Sequence, residues 1–151
     1  MHGKPNEPLI IVDADALVSF TDLSDGNHKK AKQIMQQLAT MQSYFLFPTT
    51  AVCEAVTVLR SKLNKPEDAK RIVEKLQSGD YPIQVVDQPI LNEAAALFNP
   101  QASKKNTLFD AVIAAIAKRL SADAIFSFDE WYKKQGFTLA EDLLTEEKQA
   151  A

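Results

Sequence analysis

Four short apolar runs alternate with longer stretches in which apolar residues recur at helical spacing. LIIV (9–12), after Pro8, is continuously apolar and suits a strand buried on both faces. Across 28–41, Ala31, Ile34, Met35 and Leu38 mark one face of a helix. YFLF (44–47) predicts a second strand, stopped by Pro48. Thr50 is placed to cap a helix whose apolar stripe is Val52, Val56, Leu59 and Leu63. Pro66 opens a further helix to about Gln77, ended by Gly79. IQVV (83–86) predicts a third strand, and PILNEAAALF (89–98) a helix. A loop with Pro100 and the polar segment 104–106 leads to a strongly helical run, 107–121. AIFSF (124–128) predicts a fourth strand, followed by a short helix or turn from Glu130. The segment 137–139 is a candidate fifth strand, and the end from Thr145 is expected to fray.

Strands alternating with helices predict an α/β fold: a mostly parallel sheet of four to five strands with helices on both faces. No repeat or linker interrupts the pattern, so residues 1–151 read as one domain with a core of about 9–140. In open sheets of this kind, ligands bind at the carboxyl ends of the strands. Four acids fall on that edge. Asp13 directly follows the first strand and Asp129 the fourth. Glu54 lies early in the helix that leaves the second strand. Asp110 opens the helix whose far end feeds the fourth strand, so its amino end lies on the same rim.

Each acid also has a purely structural explanation. Asp13 and Asp129 suit helix caps. Asp15 is either a second carboxylate beside Asp13 or a cap. Glu54 would complement a positive helix end, and its side of the helical wheel, away from the apolar stripe, also suits exposure. Thr107-x-x-Asp110 matches a capping box, yet Ala114 and Ala117 share the Asp110 face, where a solvated helix would carry Lys, Glu or Gln. Asp87, next to Pro89, is explained by capping alone and is left out of the site.

Composition narrows the chemistry. The 46% hydrophobic and 25% charged content of the 151 residues is ordinary for a globular protein. Cys53 is the only cysteine, so no internal disulfide forms. MHGKPNEPLIIVDADAL has an apolar run broken by acids, unlike a signal peptide. No stretch approaches the ~20 apolar residues of a membrane span. The expectation is a soluble cytoplasmic protein. A net charge of −3 argues against a nucleic-acid partner, but setting four of the 20 acids aside leaves 16 against 17 Lys and Arg. The small basic groups, such as Lys104 and Lys105 or Lys133 and Lys134, are also what solvated helix faces look like, so composition permits RNA without revealing it.

Carboxylates gathered together raise one another's pKa values unless cations neutralise them. Oxygen-only ligands suit Mg²⁺ or Mn²⁺. Such ions activate water and stabilise both oxygens of an in-line phosphoryl displacement. No rival catalytic set competes: His2 and His28 are the only histidines, and there is neither a zinc pattern nor a glycine-rich phosphate loop.

IIVDADALV, TTAVCEAVTVLR, LFDAVIAAIAKR and AIFSFDEW, in that order and spacing, resemble the motifs of the PIN-domain ribonucleases, and in particular the VapC-like toxins of prokaryotic toxin–antitoxin pairs. The resemblance covers about residues 9–140. It implies a three-layer α/β/α sandwich and Mg²⁺- or Mn²⁺-dependent cleavage of RNA, with Asp13, Glu54, Asp110 and Asp129 holding the metal. It further implies that Ser127 orients a ligand or water, and that the partners are an RNA substrate, a second copy of the chain and a cognate antitoxin. Asp15 stands where the family often has Asn, Ser or Thr, and is either an extra ligand or a hydrogen-bonding support. Two alternatives remain. Asp13-x-Asp15 also resembles the nucleophile motif of haloacid-dehalogenase-like phosphatases, although Ala16 stands where that family has glycine. The other alternative is a PIN fold kept as a binding module without turnover.

Overall fold

A computed structural model describes residues 7–150; most of the polar extension before Pro8, including His2, and Ala151 lie outside the described residues. The central sheet contains β1 (Leu9–Val12), β2 (Tyr44–Pro48), β3 (Ile83–Gln84) and β4 (Ala124–Phe126). All pairings are parallel, in the order β3-β2-β1-β4. Each connection is therefore a helical crossover. Helices α1 (Ala14–Thr21) and α2 (His28–Thr40) join β1 to β2, and α3 (Thr49–Thr57) and α4 (Pro66–Gln77) join β2 to β3. Helices α5 (Gln88–Leu97) and α6 (Leu108–Arg119) lead to β4, followed by α7 (Trp131–Lys134) and α8 (Ala140–Ala150).

The two-residue period of β1 divides the core in two. Ile10 and Val12 join the cluster formed by α1, α2, α3, α4 and α8, with Leu17, Ile34, Leu38, Leu59 and Ile72. Leu9 and Ile11 face the opposite way, onto Ile90 and Ala94 of α5, the buried face of α6 and Tyr132. This is the three-layer α/β/α sandwich. The Asp123 carboxylate accepts the Leu9 N–H at 2.7 Å, while the Asp123 N–H donates back to the Leu9 carbonyl at 2.8 Å. That pair clamps the beginnings of β1 and β4 together. Among the described residues, no helix is long and apolar enough to cross a membrane.

Several boundaries differ from the expectations. The stretch 14–21 forms a helix with no predicted counterpart, because Ala14, Ala16, Leu17, Val18 and Ser19 are all buried and leave little amphipathic contrast. Helix α3 starts at Thr49, and Thr50 does not cap it; the Thr50 hydroxyl is buried without a hydrogen-bond partner among the described residues. The predicted stripe ends at Leu59. A π-helical turn at Val58–Lys62 adds a residue to the turn and rotates Leu63 outward, to 41% exposure. β3 spans two residues rather than four, an edge strand cut short where the Asp87 side chain caps α5. The segment 137–139 adds a single parallel bridge, Ile125 to Leu139, rather than a fifth strand, since α8 begins at Ala140. The end does not fray at Thr145: α8 runs to Ala150, with Leu144 in the core and Glu141 paired to Lys30 at 2.9 Å.

Candidate active site

Asp13 ends β1 and begins α1 at the carboxyl edge of the sheet, with its N–H bonded to the Phe126 carbonyl of β4 at 3.0 Å. It is 5% exposed. One carboxylate oxygen, Oδ1, accepts the Ala14 N–H at 2.8 Å as an N-cap, and Oδ2 accepts the Tyr132 hydroxyl at 2.7 Å. Capping and site formation thus coincide in one residue. The same hydroxyl lies 3.5 Å from Asp110 Oδ1, so a single buried phenol ties β1 to α6. Asp110 in turn accepts the Thr107 N–H at 2.9 Å through Oδ2, completing the capping box anticipated from Thr107-x-x-Asp110.

Asp15 sits in the first turn of α1 and reaches across to the loop after β4. Its Oδ2 accepts both the Ser127 hydroxyl (3.1 Å) and the Phe128 N–H (2.8 Å), while its Oδ1 is buried with no partner among the described residues. Ser127 also accepts the Asp129 N–H at 3.1 Å, so it holds the loop that presents Asp129. The Asp129 carboxylate is held from both sides, by Asn106 Nδ2 at 3.2 Å and by the Trp131 N–H at 2.9 Å. Glu54 is half-buried on α3 and accepts no hydrogen bond among the described residues.

The electrostatics bind these groups into one cluster. Burial raises the Asp13 carboxyl well above the usual carboxylate range, and the charges of Asp15 and Asp110 add to it; the Tyr132 and Ala14 donors oppose the rise. Burial pushes Asp15 up to about 6 against the donors Phe128, Ser127 and the Ala16 N–H, with Asp129 adding repulsion. Glu54 is pushed up to about 7 by burial, then by Asp110 and Asp15, and only Lys62 of the π turn relieves it. Asp110 is raised by burial and by Asp129. Tyr132 is raised as well, by burial and by the anions around it, so it remains a protonated donor.

The structure therefore brings Asp13, Glu54, Asp110 and Asp129 to one rim and adds Asp15 to them. The donor set is entirely carboxylate oxygen, which is the chemistry a hard divalent cation selects, and one Asp15 oxygen has no hydrogen-bond partner among the described residues. Among the described residues, however, no three acids stand as a finished ligand set. Tyr132 and Asn106 are members of the site that the sequence reading missed. The hydroxyl three residues after Asp129 and the amide four residues before Asp110 are ordinary residues until the fold packs them against carboxylates.

Beside the acids, a cavity of about 450 Å³ opens between the loop before α6 and the start of α7, with Asp15 and Asp129 in its wall. A second cavity of about 470 Å³, lined by Phe20, Ile72, Lys75 and Tyr81, contains none of the rim acids.

The sequence matches the PIN domain family over residues 10–137. The fold is similar to that of VapC20 from Mycobacterium tuberculosis, a Sarcin-Ricin loop cleaving toxin. The two share 16% identity over 85% of this chain and 96% of that one, with a TM-score of 0.74. No protein of curated function matches the sequence.

Proposed function

This chain belongs to the PIN domain family, and we propose that it is a metal-dependent endoribonuclease that acts as the toxin of a toxin–antitoxin pair. The observation that carries the proposal is the convergence of five carboxylates on the carboxyl edge of the sheet, with Asp13, Asp15, Glu54 and Asp110 all raised above their ordinary pKa ranges. Repulsion of this kind costs stability in the isolated chain and is relieved by a cation. Asp13, Glu54, Asp110 and Asp129 are the residues proposed to hold Mg²⁺ or Mn²⁺, with Asp15 an additional ligand through its unpartnered oxygen or a support through Ser127.

When bound, a divalent cation supplies charge neutralisation, activation of a water and stabilisation of the attacking and leaving oxygens of an in-line displacement. The protein's own contribution is positional. Tyr132 and the Ala14 N–H fix both oxygens of Asp13. Thr107 fixes one oxygen of Asp110, and Asn106 and Trp131 fix Asp129. Glu54, half-buried on α3, has no hydrogen bond among the described residues to fix its carboxylate. An RNA phosphodiester is the proposed substrate; a second copy of the chain, a cognate antitoxin and a cytoplasmic location are proposed from the family resemblance.

Cleavage of total cellular RNA by purified protein with Mg²⁺ or Mn²⁺, beside Asp13→Asn and with EDTA, tests the proposal. Fragments that disappear with both the mutation and the chelator support it. Intact RNA after incubation with folded, antitoxin-free protein sinks the nuclease and leaves the non-catalytic binding module. No observation favours the phosphatase alternative: one Asp15 oxygen already accepts from both Ser127 and Phe128.

A further inference from the structure

We propose that the cavity beside Asp129 is a subsite for one unstacked nucleotide of single-stranded RNA, with its base against Trp131 and its phosphate at Lys105 and Lys134. The inference rests on the ribonuclease reading of the neighbouring acids. The cavity is about 450 Å³ and is walled by Asp15, Lys105, Asn106, Asp129, Trp131 and Lys134, among others. Its size lies in the roughly 300–1,000 Å³ range of small-ligand sites.

Three observations give the cavity its chemistry. The first is charge. A rim of carboxylates repels a phosphate backbone, so a polyanion must gain attraction close by. Neither the Lys105 nor the Lys134 ammonium has a carboxylate partner among the described residues. Lys133, their neighbour, does: it is tied to Glu130 at 3.0 Å and Asp142 at 3.4 Å, which also occupies Glu130, the remaining acid of the cavity wall. Two unpaired cations therefore flank the acids.

The second observation is the aromatic wall. Trp131 is part-exposed, and its ring is held edge-on to Tyr132 at 5.2 Å and 69°. A fixed ring bordering a cavity suits stacking of a base, which tolerates any base identity. Stacking needs an unpaired base, because in a duplex both faces are already covered. The third is rigidity. The Trp131 N–H is bonded to Asp129 and Asn106 holds the other oxygen of the same carboxylate, so indole, loop and acid keep a fixed spacing. A nucleotide seated against Trp131 would then position the adjoining phosphodiester at the acids.

Trp131 is the only tryptophan in the chain, so its fluorescence reports on this cavity alone. The test titrates folded Asp13→Asn protein, which cannot consume its ligand, with a short single-stranded RNA and with the same sequence as a duplex. Saturable quenching by the single strand, and weaker or no quenching by the duplex, is the expected result. By anisotropy of labelled RNA, Trp131→Ala in the same background should raise Kd roughly 5- to 100-fold while Trp131→Phe largely retains binding. Lys105→Ala and Lys134→Ala, both surface changes that spare the core, should each weaken binding and lower the salt slope by about one. An unchanged Kd in the two lysine variants, equal quenching by duplex, or quenching by an acidic peptide but not by RNA overturns the subsite. Cleavage by the wild-type protein with Mn²⁺ is scored separately. Binding with quenching but no wild-type cleavage sinks the nuclease and leaves the subsite standing, whereas cleavage unaffected by every cavity variant does the reverse.

Discussion

Tyr132→Phe removes one oxygen atom from the centre of the site and leaves the ring in place. The hydroxyl is fully buried, donates to Asp13 Oδ2 at 2.7 Å and lies 3.5 Å from Asp110 Oδ1. A hydrogen bond to a charged group contributes about 1.5–3 kcal/mol. Phe keeps the edge contact with Trp131, so no large cavity is opened and the loss is almost wholly electrostatic. For a domain of this size, about 1 kcal/mol shifts Tm by roughly 2–4 °C, which gives an expected fall of about 3–12 °C without added cation. The variant should also bind Mn²⁺ more weakly, because Asp13 and Asp110 lose their common tether. The assay is thermal unfolding of wild type, Tyr132→Phe, Asp13→Asn and the double variant, with Mn²⁺ affinity measured by calorimetry. Pairwise coupling appears as non-additivity: once Asp13 is neutralised, loss of the hydroxyl should cost much less. A Tyr132→Phe protein that melts within about 1 °C of wild type and binds Mn²⁺ equally well would refute the reasoning.

Glu54 and Asp15 are raised to about 7 and about 6, so the folded protein binds more protons than the unfolded chain between roughly pH 4 and 7. Stability without cation should therefore fall as pH rises through that window. Glu54→Gln should flatten the fall and saturating Mn²⁺ should offset it; identical slopes in wild type and variant by urea unfolding would count against the cluster. Asp15→Asn replaces the unpartnered oxygen with a donor among carboxylates and should keep or raise the cation-free Tm, while RNA cleavage drops more than about tenfold if Asp15 contributes directly. Wild-type cleavage rates in that variant would assign Asp15 to support alone. Asp123→Ala removes the acceptor for the Leu9 N–H and should cost about 1–2 kcal/mol by denaturant unfolding, with the activity per folded molecule unchanged.

The carboxyl-edge placement of Asp13, Asp110 and Asp129 was readable because it follows from chain order. An acid directly after a buried parallel strand, or at the amino end of the helix that precedes one, has one edge available to it. The LIIV run, the stripe of α2 and the Thr107-Asp110 box were equally local, and each formed where the pattern predicted. What lay beyond local pattern was contact across the chain. Tyr132 reaches Asp13 across 119 residues and Asp15 reaches Ser127 across 112, distances at which no periodicity carries information. The outward turn of Leu63 needed the π-helical turn, and helix α8 needed the contact of Leu144 with the core. Sequence by itself determined which acids share an edge, because topology maps strand ends onto one rim. Only the tertiary structure decided which donors hold them and which oxygen is left without a partner, because hydrogen bonds between distant segments depend on how the two faces of the sheet are packed.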